Sequence, residues 1–285
     1  MKNFKIKSFC KINLFLRVLK KLKNNYHSIQ TLITFCKLYD LIYIKKIKDK
    51  TDKISFFGKF GKKIDKKTNT ISKLLYFLRK EKLLLHQSFK IKIQKNIPHG
   101  SGLGGGSSNA AALLNFFNSK MKLGLNDKKL NKIASKVGFD VPLILKRKNI
   151  FLTGKREKIL KLNLKFNLLI VYPNIICSTH KIYKKNKNFS LPKNLTNFSN
   201  KNKKKFITYL INEKNVLQES VIKFYPRIRR IINLIKLQRG CYFARITGSG
   251  SACIGIFLNK STAISAQKLI KLKYPKYWSI VSKTI

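Results

Sequence analysis

Between Ile97 and Ala111 the chain reads "IPHGSGLGGGSSNAA", five of its fourteen glycines and three serines within fifteen positions. Phe89, Ile91 and Ile93 alternate with Lys90, Lys92 and Gln94 before it, and an alanine- and leucine-rich run follows. The first pattern predicts a strand and the second a helix. A glycine-rich turn between them is an anion site. Bare backbone lets N–H groups approach phosphate oxygens, and the helix start adds partial positive charge. The candidate phosphate cradle is Pro98, His99, Gly100, Ser101, Gly102, Leu103, Gly104, Gly105, Gly106, Ser107 and Ser108. Ser107 and Ser108 are placed to cap the helix or to meet a phosphate or its metal.

Three nucleotide-loop patterns compete for this stretch. Gly100, Gly102 and Gly105 spell the dinucleotide fingerprint, and Asp127 lies about twenty residues further on. That acidic residue should end a strand, yet Asp127 opens the helical run "NDKKLNKIASKVG". The Gly-Lys-Ser/Thr ending of a Walker loop is missing, and so are the other signatures of a protein kinase.

The elements that must position this loop are legible around it. "FKIKSFCKINLFLRVL" predicts one or two strands, with Lys11 and Asn13 on one face. "KKLKNNYHSIQT" predicts a turn, Asn24 and Asn25 tolerating left-handed backbone, and "TLITFCKLYDLIYIKKI" a further strand. Residues 48–68 read as a polar connection, and "TNTISKLLYFLRKE" as a helix. The loop helix is expected to take serine as its cap. "GFDVP" starts another helix, with Pro142 in its first turn and Asp140 in good capping position. The pattern changes near residues 151–160, so the expected division is 1–155 and 156–285. "FNLLIVYP" predicts a buried strand, residues 184–205 a basic connection, and "CYFARITGSGSACIGIF" a strand, a glycine turn and a second strand or helix start. Helices are expected in "VLQESVIKFYPRIRRIINLIKLQ" and "STAISAQKLIKL". The class is mixed α and β in two halves.

The formal net charge is +53, and lysine makes up all but nine of the 63 basic residues. Nucleic-acid or anionic-membrane binding is one reading of that charge. The other is lysine placed on every solvated face. The even spread, as in "KKIKDKTDK" and "KNKKK", favours the second, with weak polyanion binding on electrostatic grounds. The five cysteines have no Cys-x-x-Cys spacing, which argues against a disulfide frame or a zinc site. The basic start is followed by an apolar stretch broken by Lys11, Asn13 and Arg17. It lacks a signal-peptide pattern, and no run is long enough to span a membrane. The expectation is a cytoplasmic protein with no membrane and no specific nucleic-acid partner.

The string Pro98–Ala111 resembles the second motif of the GHMP kinase superfamily. Three further stretches resemble that superfamily in the same order: "CKINLFLRV" with "NNYHSIQT", "GFDVP", and "ARITGSGSACIGIF". The similarity runs from about Phe9 to Phe257. The Tyr26–His27 pair points to the branch acting on 4-diphosphocytidyl-2-C-methyl-D-erythritol. The resemblance implies a two-domain α+β fold: an N-terminal ATP-binding domain, and a C-terminal domain whose last residues may pack back on the first. The active site would lie in the cleft between them. It implies transfer of phosphate from ATP, with Mg2+ accompanying the nucleotide, to the 2-hydroxyl of that substrate in non-mevalonate isoprenoid precursor synthesis. No metal ligand is assigned to the chain. The assembly is a monomer or homodimer.

In that picture Asp140 takes the hydroxyl proton, a role that stands beside capping on the residues alone. Lys11 is the adjacent cation that lowers the cost of deprotonation. Asn13 touches the substrate, Tyr26 stacks on cytosine and His27 supplies a polar contact. Thr179 and Tyr183 close the base pocket from the other half, and Gly248 and Gly250 approach as a second backbone turn. Four departures stand out: Asn24-Asn25 for Asp-Gly, Ser101 for a smaller residue, Phe139 for alanine beside Asp140, and Lys155-Arg156 within a Gly-x-Gly-Glu pattern. A GHMP kinase for another alcohol, or a basic nucleic-acid-binding protein, are the alternatives. The second leaves the glycine motifs unexplained.

Overall fold

The computed structural model describes residues 3–23, 26–62, 64–65, 67–160, 165–194 and 203–285. Its strands are β1 (Asn3–Lys21), β2 (His27–Ile47), β3 (Lys53–Phe57), β4 (Ser88–Gln94), β5 (Asn149–Thr153), β6 (Arg156–Leu160), β7 (Asn167–Tyr172), β8 (Cys241–Ile246), β9 (Cys253–Phe257) and β10 (Trp278–Lys283). The helices are α1 (Thr70–Lys80), α2 (Gly105–Lys120), α3 (Asp127–Val137), α4 (Val141–Leu145), α5 (Thr179–Lys185), α6 (Lys203–Asn212), α7 (Leu217–Phe224), α8 (Arg227–Lys236) and α9 (Lys260–Lys273). The expected Asn24–Asn25 turn lies outside the described residues, as do residues 195–202 of the basic connection.

Two compact units divide the chain, each discontinuous in sequence. Unit 1 takes the start of β1 to Lys11, then Leu38–His99 and Gly104–Arg147. Unit 2 takes Ile12–Lys37, Gly100–Leu103 and Lys148–Ile285. Strands β1 and β2 pair with each other and run through both.

In unit 1 the second half of β2 pairs antiparallel with β4, from Leu41↔Gln94 to Ile47↔Ser88. The alternation of β4 works as read: Phe89, Ile91 and Ile93 are buried, Lys90 and Lys92 exposed. Helix α2 packs with α1, α3 and α4, and its Phe117 meets Phe89 with ring centroids 5.0 Å apart. Because α2 is surrounded, its buried residues cover Ala110 to Leu114 without a break. Residues 48–68 are not all connection. Lys53–Phe57 forms β3, parallel to β4 at the sheet edge, where only one side of the strand needs a partner. The expected serine cap is also corrected. Helix α2 begins at Gly105, and its N-cap is Gly104 in left-handed backbone (φ 69°) with no side-chain bond.

In unit 2 the first half of β2 pairs antiparallel with β5, and β5 with β6. A second, fully antiparallel sheet runs β10-β7-β9-β8. Helix α8 buries Ile228, Ile231, Ile232 and Ile235 at helical spacing. Arg227, Arg229, Arg230 and Lys236 cover its outer face. That division is the solvated-face use of charge in miniature. All five cysteines are free. No helix among the described residues is long and apolar enough to cross a membrane.

Candidate active site

Unit 1 brings Lys11, Asp140 and the start of α2 together. Lys11 is buried to 5% exposure, and its Nζ lies 3.4 Å from Asp140 Oδ2. The strand alternation alone could not mark it among so many lysines; burial does. Its stem lies against the loop. A Cβ on Gly104 would come within 2.6 Å of Lys11 Cγ, so glycine is needed there for close approach as well as for positive φ. Asp140 occupies the N-cap position of α4 but has αR backbone and makes no side-chain capping bond. Its carboxylate, 36% exposed, turns to Lys11 instead. Phe139 beside it is exposed.

The first turn of α2 leaves backbone N–H groups without intrahelical partners. The Ser108 hydroxyl is buried and has no hydrogen-bond partner, and neither does Asn109 Oδ1. Thr70 Oγ1 donates to Gly106 O at 2.9 Å, tying the start of α1 to the loop. The entry to the loop is held by a feature the sequence did not signal. Buried Asp40 pairs with buried Lys95 and accepts from Asn96 N at 2.7 Å and Ile97 N at 2.9 Å. Pro98 is buried next to this anchor. Loss of solvent around the ring, and then Lys95, lower the pKa of His99.

Unit 2 holds the remaining candidates. Asn13 is buried. Its N–H donates to Thr247 Oγ1 and its Nδ2 to Thr31 Oγ1, both at 2.9 Å. Tyr26 presents its ring to solvent at 57% exposure, whereas His27 is buried. The ring that meets Tyr183 is His27, with centroids 5.1 Å apart and planes inclined by 39°. Burial, and then Lys21, lower the pKa of His27, which favours its neutral form. Thr179, at the start of α5, shares a 2.8 Å hydrogen bond with Ser249.

The segments 100–103 and 247–252 meet backbone to backbone. Ala252 N donates to Ser101 O at 3.0 Å. A Cβ on Gly250 would sit 1.9 Å from the Ser101 carbonyl carbon, and one on Gly102 2.1 Å from Thr247 O. Gly248 has φ 59°, and its carbonyl accepts from Asn215 Nδ2 at 2.8 Å. Gly100 O accepts from Cys177 N at 2.9 Å, which joins the loop to the approach of α5. Ser249 belongs to the second glycine turn expected from the sequence, whereas the parts played by Thr247 and Asn215 have no sequence signal. Single polar residues near a glycine turn carry no pattern of their own.

Among the described residues no group of three or more His, Cys, Asp or Glu could hold a metal ion. Two of the cysteines are poorly suited to act as nucleophiles, because burial disfavours their thiolate form. Burial pushes the Cys177 thiol up to about 11 and Cys241 up to about 12.

Residues 69–147 match the GHMP kinases N terminal domain, and residues 197–276 match GHMP kinases C terminal. A 4-diphosphocytidyl-2-C-methyl-D-erythritol kinase from Pelagibacter ubique is 42% identical, over all of both chains. The enzyme of that name from Wolbachia pipientis wMel is 34% identical over 98% of this chain and 97% of its own. The one from Caldicellulosiruptor bescii is 33% identical over 94% of each. Among solved structures, a 4-(cytidine 5'-diphospho)-2C-methyl-D-erythritol kinase aligns with TM-score 0.77 at 21% identity, over 99% of this chain and all of the other. A mevalonate kinase from Methanococcus jannaschii aligns with TM-score 0.69 at 17% identity, over all of this chain and 99% of its own. These two show a shared fold.

Proposed function

The chain belongs to the GHMP kinases, in the 4-diphosphocytidyl-2-C-methyl-D-erythritol kinase family, and from that premise we propose its reaction in detail. The enzyme transfers the γ-phosphoryl group of ATP to the 2-hydroxyl of 4-diphosphocytidyl-2-C-methyl-D-erythritol, a step towards isoprenoid precursors. The observation that carries this reading is Lys11 Nζ at 3.4 Å from Asp140 Oδ2, with the Lys11 stem against Gly104 of the phosphate loop. A carboxylate with no capping duty, a buried cation and a helix start together suit phosphoryl transfer to an alcohol.

Residues 1–155 supply the phosphate loop, Lys11 and Asp140, and residues 156–285 supply Thr179, Tyr183 and the second glycine turn. Backbone N–H groups between Gly100 and Ser107 hold the phosphates, in place of water, and Ser108, whose N–H is bonded to Gly104 O, offers its hydroxyl. Asp140 accepts the hydroxyl proton as the oxygen attacks phosphorus, and ADP leaves. Lys11 offsets the negative charge that gathers beside it. The transition state is loose, so orienting the hydroxyl is the larger part of Asp140's work. Asn13, fixed by Thr31 and Thr247, contacts the substrate. His27, mainly neutral, offers one donor and one acceptor to the cytosine edge, with Tyr26 stacking on the base and Tyr183 closing the pocket. A magnesium ion fits as a companion of ATP rather than a resident of the chain. The buried Ser108 hydroxyl is the protein oxygen suited to it, and the ion supplies charge neutralisation on the phosphates. The protein works in the cytoplasm, as a monomer or homodimer.

The test is steady-state release of ADP with this substrate, with mevalonate and homoserine in parallel, at moderate salt to suppress polyanion binding. Turnover with the cytidine substrate alone supports the reading. No turnover with it, from folded protein, defeats it.

A further inference from the structure

Residues 186–194 follow α5 without regular secondary structure, yet they are fastened to unit 2 at successive points. Asn188 Nδ2 donates to Glu219 Oε2 at 2.6 Å, and Ser190 N to Val18 O at 2.8 Å. At Lys193 the fastening is a single side chain. Gln30 Oε1 accepts from Lys193 N at 3.1 Å, and Gln30 Nε2 donates to Lys193 O at 2.9 Å. An amide that pairs with both backbone groups of one residue does what a neighbouring strand would do. A real strand is disfavoured there because Pro192 has no N–H to give.

Gln30 is 1% exposed and its hydrogen-bonding capacity is full. Its oxygen also accepts from Arg17 Nη1 at 2.5 Å, and its nitrogen also donates to Thr153 Oγ1 at 3.1 Å. The other Arg17 nitrogen is paired with buried Glu213. The amide therefore cannot rotate without breaking a bond at every corner. Along β2 it stands three residues after His27. Along the chain its partner Lys193 stands ten residues after Tyr183, whose ring rests on His27. The start of α5 is held separately, through Thr179 and Ser249.

We propose that Gln30 is a positioning residue for base recognition: it clamps the 186–194 strap and so fixes Tyr183 against His27. This rests on the reaction proposed above. The clamp acts on binding of the cytidine end and not on the phosphoryl transfer itself. Loosening it adds freedom that binding must remove in ground state and transition state alike.

The experiment replaces Gln30→Met, which keeps the side-chain length and removes every hydrogen bond. The KM for the cytidine substrate is expected to rise about tenfold, the worth of roughly one hydrogen-bond pair, with kcat and the KM for ATP within about twofold. Lys193→Pro removes one donor from an exposed residue without touching the buried amide, and should shift the same KM in the same direction. Lys193→Ala keeps both backbone bonds and should change nothing. Trypsin reports the strap directly: cleavage at Lys184, Lys185 and Lys187, which all three variants keep, should quicken in the first two variants and not in the third. If wild type does not phosphorylate the cytidine substrate, the functional reading fails and this proposal falls with it. If wild type does, but Gln30→Met leaves that KM unchanged or worsens kcat and both KM values together, the proposal alone is overturned. Should Gln30→Met not fold, Lys193→Pro decides on the same criterion.

Discussion

Gly250→Ala puts the backbone contact between the two glycine segments to a direct trial. Gly250 lies outside the left-handed region, so its backbone suits alanine. What excludes alanine is contact. The new methyl would stand 1.9 Å from Ser101 C, 2.0 Å from Gly102 N and 2.1 Å from Ser101 O, where ordinary contact begins at 3.4 Å. The segments would have to part by about 1.5 Å, the difference between 1.9 and 3.4 Å. Neither side yields easily. Ser101 O is bonded to Ala252 N, and Gly102 is pressed as closely on Thr247 O. A displacement of about 1 Å in a positioning element costs roughly a hundredfold in rate, so kcat/KM for ATP should fall at least about that far. The control is Gly124→Ala. Gly124, unlike Gly250, has positive φ (64°), but nothing lies within 4 Å of its Cβ position. Local strain of about 1–2 kcal/mol is its whole expected effect, with kinetics unchanged. Kinetics with varied ATP, together with a thermal melt, measure both. A Gly250→Ala enzyme with wild-type kcat/KM for ATP would refute the reasoning: the segments would not need each other's close approach.

Asp140→Asn should lower kcat by about 10²–10⁴-fold and leave the fold intact, because no capping bond is lost; activity near wild type would return Asp140 to a structural role at α4. The depressed pKa of His27 means that the unfolded chain takes up its proton more readily. Its share of stability is therefore complete above the ordinary value near 6.5 and is lost as pH falls towards the lower folded value. Urea melts at about pH 7.5, 6.5 and 5.5 should show that loss, and His27→Asn should reduce it, leaving the part due to His99; an unchanged slope contradicts the assignment. Iodoacetamide at about pH 8 should label Cys177 and Cys241 slowly in the native protein and rapidly in denaturant. Equal rates read by mass spectrometry would show that burial does not control these thiols.

How much could be read beforehand depended on whether a feature is local. The alternation of β4 and the cap of α1, where Asn69 accepts from Ile71 and Ser72, are written within a few neighbouring residues. The glycine loop was legible because so little else in the chain uses glycine. Strand β3 was not, because an edge strand needs only one partner and "KISFF" sits among charges. The helix start fell two residues before the serines, because a left-handed Gly104 replaces a side-chain cap. The Asp40–Lys95 anchor was invisible for a physical reason: burial singles out Lys95, and burial comes from packing. Pairing Tyr183 with His27 and Lys193 with Gln30 likewise depends on the path of a connection that has no periodicity to read.

The first segment of unit 2 has a further consequence, for how the chain is made. Ile285 N donates to Phe35 O at 3.1 Å, Cys36 forms a bridge with Thr284, and Thr284 N in turn donates to Phe166 O. Phe35 and Ile285 are separated by 250 positions. At about 5–20 residues per second, a ribosome leaves Phe35 waiting roughly 12–50 s for that partner. Throughout that interval the apolar front of β2 is made but unpaired at this point, and long-range pairing of this kind also slows folding itself. Vectorial synthesis therefore works against this arrangement. Refolding of the full-length chain should have a slow phase reported by β10, and a fragment ending before β10 should bind chaperones or aggregate rather than form a smaller stable unit.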